Sequence, residues 1–222
     1  MRHRSLAQRA MESDAVVRVY ESRLWRRSLI ATLALGISFE REQQLIGRAA
    51  RLSPGDWLLD LACGPGIHTR PFARQVAPGL VVGLDLSPAM LRHARRRARA
   101  AGLQNLVLVR GDALRLPFAG GRFDVVNCCG ALHLFPDADL ALREVHRVLK
   151  PGGRFTVAAF RRGSGRWASL GSALRWRIMG IDSFTPEELQ ARLGAAGLGE
   201  IACHHAGAQW LIMSARRVPT PR

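Results

Sequence analysis

The sequence predicts an α/β fold: a doubly wound, Rossmann-like, seven-stranded sheet, mostly parallel, with an antiparallel last strand and an N-terminal helical extension. Three observations carry this expectation. From Asp56 onward, short runs rich in leucine and valine alternate with helix-patterned segments, as a parallel sheet covered on both faces requires. The first of these runs, "LLDL", breaks into "ACGPG", a loop with almost no side chains, where something must lie against the backbone. Two apolar runs near the C-terminus meet at a short turn around Ala206-Gly207, the mark of an antiparallel hairpin.

The elements follow in order. Residues 1 to about 52 read as helical, with apolar residues at helical spacing, a break at Gly36, and a second helix, "FEREQQLIGRAARL", stopped by Ser53-Pro54-Gly55. "DWLLDLA" is a strand, "HTRPFARQVA" a helix, and "LVVGLDLS" a strand rich in branched residues. The next helix, "SPAMLRHARRRARAAG", has Ser87 as N-cap, Pro88 at its first position and Gly102 as stop. "NLVLVRGD" and "RFDVVNCCG" are strands, "DADLALREVHRVLKPGG" a helix capped by Asp137, and "RFTVAAF" a strand. Thr185 and Pro186 open the late helix "TPEELQARLGAAG", and "IACHHAG" and "QWLIMSARR" close the sheet. The expected division is a helical cap over 1–52 and a main domain over 53–222, with an insertion or lid at 161–184 that carries Trp167 and Trp176.

Composition bounds the function. A chain of 222 residues that is 48% hydrophobic suits one domain with a full core. The net charge is +16, nearly all of it arginine, since Lys150 is the only lysine. Such a surface attracts polyanions, either nucleic acid or an anionic membrane. The four cysteines lack C-x-x-C spacing, which reads as reduced thiols in a cytoplasmic protein with no metal site. "WRRSLIATLALGISFE" has two arginines before an apolar run, but the run is too short to span a bilayer and no cleavage pattern follows.

Doubly wound sheets bind ligands beyond the carboxyl ends of their strands, where strand order reverses. That places "ACGPG" at the crevice, with Gly64 and Gly66 permitting close backbone approach and Asp60 at the strand end. Asp85 ends the second strand, roughly 20 residues after the loop, where a carboxylate suits a pair of ribose hydroxyls. The dinucleotide pattern G-x-G-x-x-G is not met, because Ile67, His68 and Thr69 follow Gly66. The third strand instead ends in "RGDALRLPF", which places the acid Asp112 there.

This ordered set resembles the class I S-adenosylmethionine-dependent methyltransferases, and within them the small-molecule group that includes the ubiquinone and menaquinone C-methyltransferases. The resemblance runs from about residue 53 to 215 and is specific for cofactor and fold. It implies S-adenosylmethionine as cofactor and S-adenosylhomocysteine as product. It implies that Asp60, Ala62, Cys63, Gly64 and Gly66 line the methionine end. Ala62 replaces a more frequent glycine, and is small enough to fit. Asp85 is implied at the ribose, Leu86 and Met90 against the adenine, Gly111-Asp112-Ala113 at the adenine edge, and Cys128 near the methionine moiety. The acceptor implied is a small, hydrophobic or quinone-like molecule, attacked in line; an RNA methyltransferase and a non-catalytic cofactor-binding partner protein are the alternatives. A homodimer is compatible with all three.

Four features stand between two readings each. His133, just past the fourth strand, is either a general base or a wall residue packing Phe135. Tyr20 on the first helix either hydrogen-bonds cofactor or acceptor or belongs to a packed apolar face. Cys63, Cys128 and Cys129 are either thiolates for a soft electrophile or small core residues. Arg92, Arg95, Arg96 and Arg99 either bind phosphate or mark a solvated helix face.

Overall fold

A computed structural model describes residues 32, 33, 35–163, 178 and 180–218. Its strands are β1 (Leu58–Leu61), β2 (Val81–Asp85), β3 (Leu106–Arg110), β4 (Phe123–Cys129), β5 (Leu149–Phe160), β6 (Leu198–Ala206) and β7 (Trp210–Arg217). They form one seven-stranded sheet in the order β3-β2-β1-β4-β5-β7-β6. β1 to β5 pair in parallel; β7 runs antiparallel to both β5 and β6. Order reverses between β1 and β4, so the loop leaving β1 emerges at the switch point.

Adjacent strand residues point to opposite faces, and the sequence supplies apolar side chains for both. Leu58, Val81, Val125, Ala158 and Ile212 face one layer, with Ile46, Phe72, Ala73 and Val76. Leu59, Val82, Val126, Val157 and Leu211 face the other, with Leu142, Val145, Leu189 and Leu193. The helices are α1 (Phe39–Ala50) and α2 (Thr69–Val76) on the first face and α4 (Ala138–Val148) and α5 (Pro186–Ala195) on the second, while α3 (Pro88–Ala100) lies against β2 and β3. Each fully buried leucine or valine of these strands contributes about 1.5–3 kcal/mol by leaving water.

The caps are those the sequence signals. Ser87 Oγ accepts from Met90 N at 3.3 Å and Asp137 Oδ1 from Leu140 N at 2.9 Å. Thr185 and Glu188 form a reciprocal capping box. Gly36 (φ 74°) closes a helical turn through Gly36 N to Thr32 O. The arginines of α3 face solvent, Arg97 with them, because Leu91, Ala94 and Ala98 take the inner stripe.

Two strands start earlier than expected: β6 at Leu198 instead of Ile201, and β5. α4 ends at Val148, and β5 starts at Leu149 instead of Arg154. Leu149 pairs with Phe123, the ladder slips, and pairing resumes at Arg154 with Val125. Pro151 and Gly152 (φ 75°) are looped out in that bulge, which lets an apparent helix terminator lie within a strand. Tyr20, Trp25, Trp167 and Trp176 lie outside the described residues.

Candidate functional site

The carboxyl ends of β1, β2 and β3 bring most of the expected residues together. The loop after β1 is strongly bent: Ala62, Gly64 and Gly66 have φ of 53°, 54° and 78°. Asp85 stitches this loop to β2, accepting Gly64 N at Oδ2 and Ser87 N at Oδ1, both at 2.8 Å. Burial raises the Asp85 carboxyl above its usual range, while the amides of Ser87 and Gly64 pull it back down. Cys63 N donates to Leu84 O and Gly111 N to Asp85 O, so the three strand ends are tied edge to edge.

The space in front of Gly64 is open: a side-chain carbon there would meet only Met90 Sδ, at 4.0 Å. Gly111 is the reverse case, since a side chain would strike Leu84 Cδ1 at 2.8 Å; this glycine is needed for strand packing. Leu86 is 36% exposed at the end of β2, and Met90 is buried behind it on α3. Asp112 is exposed and folds into a turn by accepting from Leu114 N at 2.9 Å, while Ala113 is buried. This arrangement suits an extended ligand with an adenine-ribose end and a small charged tail, and the bare Gly64 position is the cradle that such a tail fits.

Three residues have other surroundings than the sequence suggests. Asp60 is turned inward at 3% exposure, and its oxygens accept from Thr69 Oγ1 (2.5 Å) and Asn127 Nδ2 (2.7 Å). Thr156 Oγ1 in turn donates to Asn127 Oδ1 at 2.9 Å. Asp60, Asn127 and Thr156 are register partners on β1, β4 and β5, so this buried polar row crosses the sheet and holds the start of α2 against β1. Burial pushes the Asp60 carboxyl up to about 6, against the lowering effect of its two donors. Cys128 is fully enclosed in the core, and desolvation pushes its thiol far up, as it does that of Cys63. Both stay protonated, which argues for core residues over thiolate chemistry.

His133 lies in a short 3₁₀ turn, Leu132–Leu134, and is 3% exposed. Its ring packs on Phe160 (4.3 Å between centroids) and Trp210 (6.1 Å). Its Nδ1 accepts from Phe160 N at 3.3 Å, and its carbonyl accepts from Asp182 N at 2.7 Å. A ring nitrogen already taken by a backbone amide is a fastening, and the base role has no geometric support at that atom.

Sequence reasoning missed Thr69, Asn127 and Thr156, although a polar residue inside an apolar strand was a signal for two of them. It also missed Glu42 on α1, which is wholly buried and accepts from Trp210 Nε1 at 2.5 Å. The third strand's loop is held by α4: Glu144 accepts Leu116 N at 2.7 Å, and Arg147 donates to the carbonyls of Leu116 and Phe118.

Residues 58–153 match the family described as a methyltransferase domain. Over 126 residues the chain is 40% identical to the demethylmenaquinone methyltransferase of Symbiobacterium thermophilum, covering 56% of this chain and 50% of that protein. The chain thus spans about half the length of the curated relatives it matches. Among solved structures, phosphoethanolamine N-methyltransferase 2 of Haemonchus contortus, in complex with S-adenosyl-L-methionine, superposes with a TM-score of 0.78 at 16% identity, over 95% of this chain and 59% of that one. The [4+2]-cyclase SpnF superposes with a TM-score of 0.68 at 22% identity, over 81% of each chain. The matched methyltransferase-domain stretch runs from β1 into β5 and so holds the glycine loop, Asp85 and Asp112, and the solved structures share the fold.

Proposed function

We propose that this chain binds S-adenosylmethionine along the carboxyl edge of β1, β2 and β3 and methylates a small, hydrophobic, quinone-like molecule. The observation that carries the reading is the bare loop at the switch point, stitched by Asp85 to the neighbouring strand. The sequence likeness to demethylmenaquinone methyltransferases supports the acceptor class. When bound, S-adenosylmethionine would supply a methyl group already activated on a sulfonium for transfer to a nucleophilic atom of the acceptor.

The chain's own residues bind and align. In this reading the Cα of Gly64 and Gly66 let the methionine end lie on the backbone, and Asp85 takes the ribose hydroxyls on the lone pairs its amide donors leave. Leu86 and Met90 sandwich the adenine, and Asp112 and Ala113 read its edge. Alignment of nucleophile, methyl carbon and sulfur lowers the barrier by up to about 7–11 kcal/mol in favourable cases. Residues before 53 and the stretch 161–184 would contribute the acceptor side. The fold alone does not fix the chemistry, since it also serves a cyclase.

The test is methyl-labelled S-adenosylmethionine with the purified chain and an extract of its source cells. Label entering the organic phase is expected; label confined to a nuclease-sensitive precipitate would replace this acceptor with RNA. Calorimetry on Gly64→Val checks the placement of the cofactor: a folded variant should lose binding at least a hundredfold, and retained affinity would refute it.

A further inference from the structure

A second cluster of chemically competent side chains lies beside the glycine loop and takes no part in the reading above. Glu42 of α1, His68 at the N-cap of α2 and Cys129 at the end of β4 converge, and one ligating atom of each lies within 4.8 Å of the other two. Among the described residues no other group of three does so. Glu42 is 0% exposed, His68 6%, and Cys129 is half-buried. His68 Nε2 stands 3.8 Å from Glu42 Oε2, and Cys129 Sγ stands 3.5 Å from Glu42 Oε1.

We propose that Glu42, His68 and Cys129 form a mononuclear binding site for a borderline divalent cation of the zinc class.

Geometry, donor set and charge each support it. A tetrahedral ion held at the usual metal–sulfur, metal–nitrogen and metal–oxygen lengths has its ligand atoms about 3.3–3.7 Å apart. Here His68 Nε2 and Cys129 Sγ approach different oxygens of Glu42, and one atom from each residue lies within 4.8 Å of the others, so small side-chain rotations would close the set on an ion. A thiolate, an imidazole and a carboxylate together suit zinc, where an all-oxygen set would suit magnesium or calcium. Three protein ligands leave a fourth position for water or an oxygen of a small molecule. A doubly charged cation with one carboxylate and one thiolate is neutral, so the assembly is far cheaper to bury than its separate charges.

The surroundings also hold the ligands in place. Trp210 Nε1 donates to Glu42 and fixes the carboxylate, as outer partners of metal ligands do. Phe39 and Phe72 flank the His68 ring, with centroids at 5.4 and 6.3 Å. Three ligands from α1, α2 and β4 would make the ion a clamp between the N-terminal helix and the sheet. Without an ion, the same contacts are a hydrogen-bonded latch.

The experiment uses the full chain, stripped with chelator and desalted, and titrated with Co²⁺ and then with competing Zn²⁺. Expected are one Co²⁺ per chain, a thiolate-to-cobalt charge-transfer band, and displacement by Zn²⁺. Calorimetry in two buffers of different ionisation enthalpy should show a released proton, because the thiol must ionise to bind. Cys129→Ala should abolish the band, and Glu42→Gln should weaken binding at least ~10–100-fold. Cys203→Ala must leave the band unchanged, since Cys203, His204 and His205 on β6 are the other local source of soft donors. Absence of uptake, or a band that survives Cys129→Ala, overturns the proposal and leaves the latch. Cys129→Ala is a small change at a strand end, so the result stands even if Glu42→Gln fails to fold. No cofactor is present in the assay, so failure here is separate from failure of the methyl-transfer reading.

Discussion

At Ala62 the chain turns left-handed (φ 53°), a conformation that costs an L-residue with a side chain roughly 1–2 kcal/mol. Small size therefore does not make this alanine harmless, contrary to what its place in the motif suggests. Ala62→Gly removes that strain but adds unfolded-state freedom, so the expected net gain is about 0.5–1 kcal/mol by denaturant unfolding. A loss of stability would show that the strain is absorbed elsewhere. Asp60 gives a second residue-level prediction. Its carboxyl titrates near 6 when folded against 3.8 normally, so between these values the folded state holds the extra proton. Stability from this group is present below about pH 4 and is lost as pH rises through 6, by about 2–3 kcal/mol. The stability difference between wild type and Asp60→Asn should therefore fall over that range; a flat difference would place the titration elsewhere. Motif spacing made Asp60 legible as important, yet not as buried, because spacing is silent on which neighbours reach a side chain.

The elements were mostly legible because their signals are local. Ser87 and Pro88, Asp137, and Thr185 with Glu188 are caps that act within one turn, and each forms as written. β5 was misjudged at its start because its bulge depends on pairing with β4, a partner distant in sequence. The loop from Asp112 to Gly121 likewise depends on α4. Removing Arg147, which is 40% exposed, takes away its donors to the carbonyls of Leu116 and Phe118 and its pairing with Glu144. Arg147→Ala should cost about 1–2 kcal/mol. Hydrogen exchange should accelerate at Leu116, whose amide Glu144 holds, and leave β1 unchanged. Uniform acceleration would mean that only global stability had moved.

For the molecule as a whole, the +16 charge predicts attraction to polyanions without sequence preference. Retention on single-stranded RNA should fall linearly on logarithmic axes as salt rises, with a slope of about −0.7 per phosphate neutralised. Replacing Arg95 and Arg96 by glutamine should flatten that slope and leave S-adenosylmethionine affinity unaltered. An affinity that resists salt, or prefers one sequence, would make the α3 face part of a specific site. Among the described residues no helix is long and apolar enough to cross a membrane.

Strand alternation, glycine and acid spacing and cap chemistry determined the sheet, its order of elements and the line of residues at its carboxyl edge. These are repeated or short-range patterns, in which each residue's environment follows from its neighbours in sequence. Tertiary structure alone decided what the buried polar atoms meet. Asp60 turned to Thr69 and Asn127, His133 to the Phe160 amide, and Glu42 to Trp210, His68 and Cys129. A buried polar group must find partners wherever the fold brings them, and those partners come from strands and helices far apart in the chain.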